Sequence, residues 1–202
     1  MAILKIARMG HPVLMGRAEE VPDPTSREVR RLLDDMIETM NEDNGAGLAA
    51  PQIHVPRRII VFRAPPERAG GDSEDTAAET DISPLVVLIN PELEAVGEEV
   101  MEGFEACLSV PGLTGLVRRL AHIRYRGFAP DGRLIEAEAT GFHARVVQHE
   151  TDHLDGILYP MRMHDLRMFG FDDEIRRRMQ DGQRAAEEDE AAKETASSEA
   201  GA

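Results

Sequence analysis

Apolar residues recur at helical spacing from Thr25 onwards. In TSREVRRLLDDMIETMNEDNG, Val29, Leu32, Leu33, Met36, Ile37 and Met40 form one stripe, which predicts an amphipathic helix near the N-terminus with that stripe packed on a core. Thr25 and Glu28 offer a capping box at its start, and Gly45 permits an exit turn. Two short β-branched runs, RRIIVFR at 57–63 and PLVVLIN at 84–90, read as strands. EAVGEEV (94–100), LVRRLAHIRYRGFA (116–129) and RLIEAEAT (133–140) continue that reading, with Pro130-Asp131-Gly132 turning the last two into a hairpin. From Gly141, GFHARVVQHETDHLDG brings Phe142, Val146, His149 and His153 onto one stripe of a second helix. No internal repeat is visible. The pattern predicts an α+β domain of antiparallel strands packed around that second, central helix.

Composition sets the boundaries of this domain. A chain of 202 residues with 42% hydrophobic and 30% charged residues is long enough for one sizeable core. The stretch 64–83, APPERAGGDSEDTAAETDIS, is too rich in Pro, Gly, Ser, Ala and acidic residues to join a core and is expected to be a mobile surface insertion. A domain over 1–170 is expected, followed by a helical to disordered acidic tail over 171–202 that ends in AEEDEAAKETASSEAGA.

The formal charge of −15 leaves no basic surplus to neutralise phosphates, which argues against a nucleic-acid partner. No stretch is apolar for long enough to span a bilayer, and the opening MAILKIARMGHP lacks the apolar run of a secretory signal. The expected location is cytoplasmic, without membrane association. The sequence carries no signal for oligomeric state.

The chemistry concentrates in His149-Glu150-Thr151-Asp152-His153. Residues four apart on a helix share a face, so two imidazoles can grip one ion. Glu150 is rotated by about 100° from His149 and about 60° from His153, which lets its carboxylate reach a bound water without being a ligand. Because Phe142 and Val146 share the stripe, the histidines point inward, where imidazoles need a metal or hydrogen-bond acceptors. A core histidine pair without metal satisfies the same pattern.

A catalytic metal also needs a third protein ligand. The HExxHxxGxxH pattern of metalloproteases matches through Gly156 but meets Tyr159 where its third histidine should stand. His164 lies beyond Pro160. Cys107, the one cysteine of the chain, is the better candidate, since a thiolate completes a His2Cys set with a position left for water. Taken alone, it reads equally as a small buried hydrophobe.

Three segments together resemble the peptide deformylase family: Gly45-Ala46-Gly47-Leu48-Ala49-Ala50-Pro51-Gln52, Glu105-Ala106-Cys107-Leu108-Ser109, and Gln148-His149-Glu150-Thr151-Asp152-His153. They stand in the family's order, and the resemblance runs from about residue 3 to 170. It implies Cys107, His149 and His153 as metal ligands, so that the central helix binds the metal, and Glu150 as the catalytic carboxylate. The Gln52 side chain and the Leu108 backbone amide are implied as oxyanion donors.

Substrate contacts are implied for Gly45, Ala46, Gly47, Leu48, Glu105, Phe142, Arg145 and Val146, with the peptide added as a strand beside the glycine-containing loop. The implied reaction removes the N-formyl group from the initiator methionine of newly made polypeptides and releases formate. Fe2+ is the implied ion, while the donor set also suits Zn2+, Ni2+ or Co2+. Formyl-Met peptides and nascent chains at the ribosome are the implied partners. Ala106, Thr114 and Arg145 depart from the residues most common in the family, which leaves substrate preference open. An HExxH-type protease using His164 and a non-enzymatic metal-binding protein are the competing readings.

Overall fold

The computed structural model describes residues 2–63 and 84–184. The predicted 64–83 insertion and the end of the tail, 185–202, lie outside the described residues. Helix α1 spans Arg27–Glu42 and helix α2 spans Gly141–Leu154. Strands β1 (Gly47–Ala49), β2 (Ile59–Arg63), β3 (Leu85–Ala95), β6 (His122–Phe128) and β7 (Leu134–Thr140) form an antiparallel sheet in the order β1-β2-β3-β6-β7. Strands β4 (Val100–Cys107), β5 (Val110–Leu120) and β8 (Phe169–Phe171) form a second, three-stranded antiparallel sheet in the order β4-β5-β8.

The two helices cover opposite faces of the larger sheet, and β2 shows why. Its side chains alternate, so Ile60 and Phe62 join the α2 core with Val147 and Leu154, while Ile59 and Val61 join the α1 core with Met36 and Met40. A strand buried on both faces needs the unbroken apolar run that β2 carries. Burying a side chain such as Phe62 stabilises the fold by about 1.5–3 kcal/mol. A smaller cluster of Val110, Val117, Leu158 and Tyr159 backs Cys107 beside the second sheet.

Local chemistry shifts several predicted boundaries. The N-cap of α1 is Ser26, whose hydroxyl accepts from Val29 N–H, whereas Thr25 donates to Asp23; the Thr25/Glu28 capping box does not form. At the other end Asn44, not Gly45, takes the left-handed conformation (φ 52°). The Asn44 and Gly45 N–H groups close a Schellman motif on the Asn41 and Met40 carbonyls.

The run 94–100 is not one strand: Glu94 and Ala95 end β3, residues 96–99 turn, and Val100 begins β4. The run 116–129 is not one strand: the chain breaks at Ala121 and changes sheets, because β5 continues the β4 hairpin while β6 pairs with β3. The hairpin at Pro130-Asp131-Gly132 is present and joins β6 to β7.

Candidate metal centre and catalytic cleft

Helix α2 places the two histidines. Gly156 ends it in the left-handed conformation (φ 74°), with the Ile157 and Gly156 N–H groups bonded to the Asp152 and His153 carbonyls. The glycine of the metalloprotease-like pattern is therefore a helix cap here. Cys107 comes from the end of β4, where the register slips between Ala106 and Cys107 and the strand turns tightly into β5. The ligand atoms of Cys107, His149 and His153 all lie within 4.8 Å of one another, and Cys107 Sγ stands 3.3 Å from His153 Nε2.

The surroundings prepare these donors. His149 Nδ1 lies 2.8 Å from Glu105 Oε2. Burial pushes the Glu105 carboxyl up, but hydrogen bonds from Arg119 and His149 outweigh it and hold it well below the usual range. An ionised Glu105 can only accept, so Nδ1 carries a proton toward it and Nε2 is the ring nitrogen left for a cation. Burial, then the charges of His149 and Arg119, hold His153 well below its ordinary pKa and so neutral. The Ser109 N–H donates to Cys107 Sγ at 3.4 Å, and Gln52 Nε2 lies 3.5 Å from the same sulfur. Two imidazoles and a sulfur approached by N–H donors make a donor set that fits a soft-to-borderline divalent cation.

Glu150 sits apart from this donor set. Burial pushes its carboxyl up to about 7, and Oε2 has no hydrogen-bond partner among the described residues. A buried carboxyl poised near neutrality is suited to take and return a proton. Gln52 is fully buried; its Oε1 accepts from Ala49 N–H at 2.8 Å and its Nε2 donates to Ser109 Oγ at 3.2 Å.

A cavity of about 1110 Å³ opens on the centre and is lined by the 45–47 loop, Gln52, the 104–108 strand end, Phe142, Val146 and Glu150. Gly45, Ala46, Gly47, Cys107, Leu108, His149 and Glu150 all meet there, whereas Leu48 and His153 are buried behind that wall.

Two expected substrate contacts have another use. The Glu105 side chain is 3% exposed and is engaged by Arg119, Arg145 and His149, so its carboxylate serves His149 while the residue itself lines the cavity. The Arg145 guanidinium turns away from the cavity to Glu105 and to the Met101, Gly103 and Val117 carbonyls; its stem remains to line the wall. Thr114 is buried and donates to the Glu105 carbonyl.

Sequence reasoning missed four supports: Arg119, which bridges Glu105 and Asp152; Arg162 on Asp152; Gln148, which brackets the Leu120 N–H and C=O; and Tyr159, stacked on His149 with its hydroxyl on the Leu113 carbonyl. Only Gln148 carried a signal, being a buried-side polar residue next to His149. His164 pairs with Glu102 outside the cluster.

A buried His2Cys donor set beside a raised-pKa carboxyl in an open cleft defines a metal-dependent hydrolase site. Comparison with known proteins makes this specific. The Polypeptide deformylase family matches residues 3–168. Peptide deformylase 1 of Bordetella pertussis is 48% identical over 166 residues, covering 82% of this chain and 90% of that protein; Peptide deformylase 1 of Nitrosomonas europaea is 46% identical over 173 residues, covering 86% and 94%. The crystal structure of a peptide deformylase from Ehrlichia chaffeensis aligns with a TM-score of 0.71 at 30% identity, over 90% of this chain and 97% of that one. The class I type b peptide deformylase of Acinetobacter baumannii bound to Met-Ala-Ser aligns with a TM-score of 0.69 at 35% identity, over 80% and 99%.

The chain belongs to the polypeptide deformylase family. It is a metal-dependent hydrolase that removes the N-formyl group from the initiator methionine of new polypeptides.

Proposed function

We propose that α2 is the metal-binding helix of this deformylase, with Cys107, His149 and His153 holding one divalent cation and Glu150 moving the proton. The observation that carries this reading is the convergence of the two imidazoles and the thiolate while Glu105 fixes the His149 proton on Nδ1. When bound, the cation supplies Lewis acidity, which makes water nucleophilic at neutral pH and offsets negative charge developing on the formyl oxygen.

The side chains do the rest. Glu150 takes the proton of the attacking water and gives it to the departing amine, leaving formate and a free N-terminus. Gln52 is fixed through Oε1, so an Nε2 hydrogen can be offered to the oxyanion together with the Leu108 N–H. Phe142, Val146 and the 45–47 loop form the methionine pocket. The Arg145 stem closes it without bringing charge in, because the guanidinium is buried elsewhere.

The peptide beyond the first residue lies extended between β1 and β4, each the outermost strand of its sheet. The peptide in the Acinetobacter baumannii complex, Met-Ala-Ser, supports a methionine-led ligand. Fe2+ is the proposed native ion, with Zn2+, Ni2+ or Co2+ accepted by the same donors. Residues 1–170 are the proposed catalytic domain and 171–202 an appended tail. Among the described residues no helix is long and apolar enough to cross a membrane, and action in the cytoplasm on chains leaving the ribosome is proposed on the nature of the substrate.

Formate release from a formyl-Met tripeptide by protein purified without oxygen tests this reading, with the metal content read in parallel. Activity with one Fe2+ per chain in the wild type, and loss of both ion and activity in Cys107→Ser, are expected. An inert Fe2+- or Ni2+-loaded wild type, or cleavage of internal peptide bonds instead, contradicts it.

A further inference from the structure

The Arg145 side chain is 7% exposed yet carries a full charge, so its burial calls for a purpose. Its Nη1 donates to Glu105 Oε1 at 2.8 Å and to the Val117 and Gly103 carbonyls at 3.1 and 3.3 Å, and Nη2 donates to the Met101 carbonyl at 3.3 Å. Gly103 and Val117 are register partners, so the guanidinium lies across the β4–β5 pair. Room for it exists only because residue 103 has no side chain: a Cβ there would lie 2.7 Å from Nη2.

Four residues further along α2, His149 reaches the other oxygen of the same carboxylate. Glu105 is thus held at two points by one helix face, at a spacing that α-helix geometry makes possible. Cys107 lies two residues beyond Glu105 on the same strand.

We propose that Arg145 is a positioning residue of the metal centre: by gripping Glu105 and the β4–β5 backbone from α2, it sets the strand bearing Cys107 against the helix bearing His149. The cavity wall needs only its aliphatic stem. Arg119 does not duplicate it. Arg119 holds Glu105 from β5 with Nε and Nη2 and Asp152 of α2 with Nη1, so it links β4 to α2 only by way of β5, whereas Arg145 and His149 reach Glu105 directly from α2. With Arg119 and His149 still on it, Glu105 stays paired in Arg145→Met.

This inference rests on the ligand set proposed above, and the test separates the two. Co2+ affinity is measured on the full-length protein by competition with a chelator, alongside the thiolate-to-cobalt absorption band. Arg145→Met keeps the stem and is expected to weaken Co2+ binding by about 10–100-fold, the range for loss of a group that orients a metal ligand. Gly103→Ala, which displaces the guanidinium without removing charge, moves affinity in the same direction, and Arg145→Lys falls between.

Turnover at saturating Co2+ should lose kcat while the KM for formyl-Met stays within about twofold. If Cys107→Ser binds Co2+ as tightly as wild type, the ligand set is wrong. If Cys107→Ser loses the ion but folded Arg145→Met and Gly103→Ala stay within twofold of wild type in affinity, the positioning role of Arg145 is overturned. Should Arg145→Met fail to fold, Gly103→Ala and Arg145→Lys decide on the same criterion.

Discussion

Gly47 lies against Glu150 with no space for a side chain between them: a Cβ on residue 47 would sit 2.5 Å from Oε1 and 2.7 Å from the carboxyl carbon. The first residue of β1 therefore presses bare backbone onto the carboxyl proposed to carry the proton, at the cavity wall. Gly47→Ala must push Glu150 aside. Because displacement of a catalytic group by about 1 Å can cost on the order of 100-fold, kcat for formate release is expected to fall by about that factor. A kcat within threefold of wild type contradicts the contact.

Gln52 is expected to act on the transition state and not on substrate binding. Gln52→Ala should lower kcat by roughly 100–1,000-fold, the usual effect of removing one oxyanion donor, with KM little changed. Steady-state kinetics on a formyl-Met peptide read both parameters. A raised KM with unchanged kcat would move Gln52 into a binding role.

Gly156 supports the centre at a distance. With φ at 74° and a Cβ that would meet the Met15 carbonyl oxygen at 2.7 Å, Gly156→Ala is strained twice over. A destabilisation of about 1–3 kcal/mol from the backbone conformation alone is expected, seen as a fall of several degrees in Tm. An unchanged Tm contradicts the cap.

A pH effect is expected at Asp165, which caps the short 3-10 turn Leu166–Met168. Hydrogen bonds from the Arg167 side chain and backbone N–H hold its carboxyl at about 2, below the ordinary 3.8. A depressed folded pKa means that its contribution is present above 3.8 and disappears as pH falls through about 2. Carboxyl NMR titration should place the midpoint near 2 in the wild type and move it up in Arg167→Ala. The same midpoint in both rules out the Arg167 cause.

The sequence made some parts of the centre legible and hid others for definite reasons. His149 and His153 could be paired from helix geometry alone, because their separation is local. Cys107 could not: its place beside them depends on a register slip at the end of β4, so elimination made it only the better candidate and resemblance supplied the assignment. Glu105, Arg119 and Arg145 meet across separations of 14 and 40 residues, fixed by the β4–β5 register and the docking of α2, which no periodicity reveals. The break at Ala121 was hidden because both of its flanks favour strand, and the choice between sheets is tertiary.

Ser26 displaced Thr25 as a cap by a single residue, a shift that propensity does not resolve. Arg145 read as a departure from the family that left substrate preference open. Burial of its guanidinium turns it into a support.

The proposed centre keeps its three ligands and its proton carrier as separate groups on one helix and one strand. Glu150→Gln tests it most directly, with bound Fe2+ and formate release measured on the same anaerobic preparation. The account predicts one ion per chain, as in the wild type, and a kcat lower by about 100–10,000-fold. Near-wild-type turnover, or loss of the ion together with activity, would contradict it.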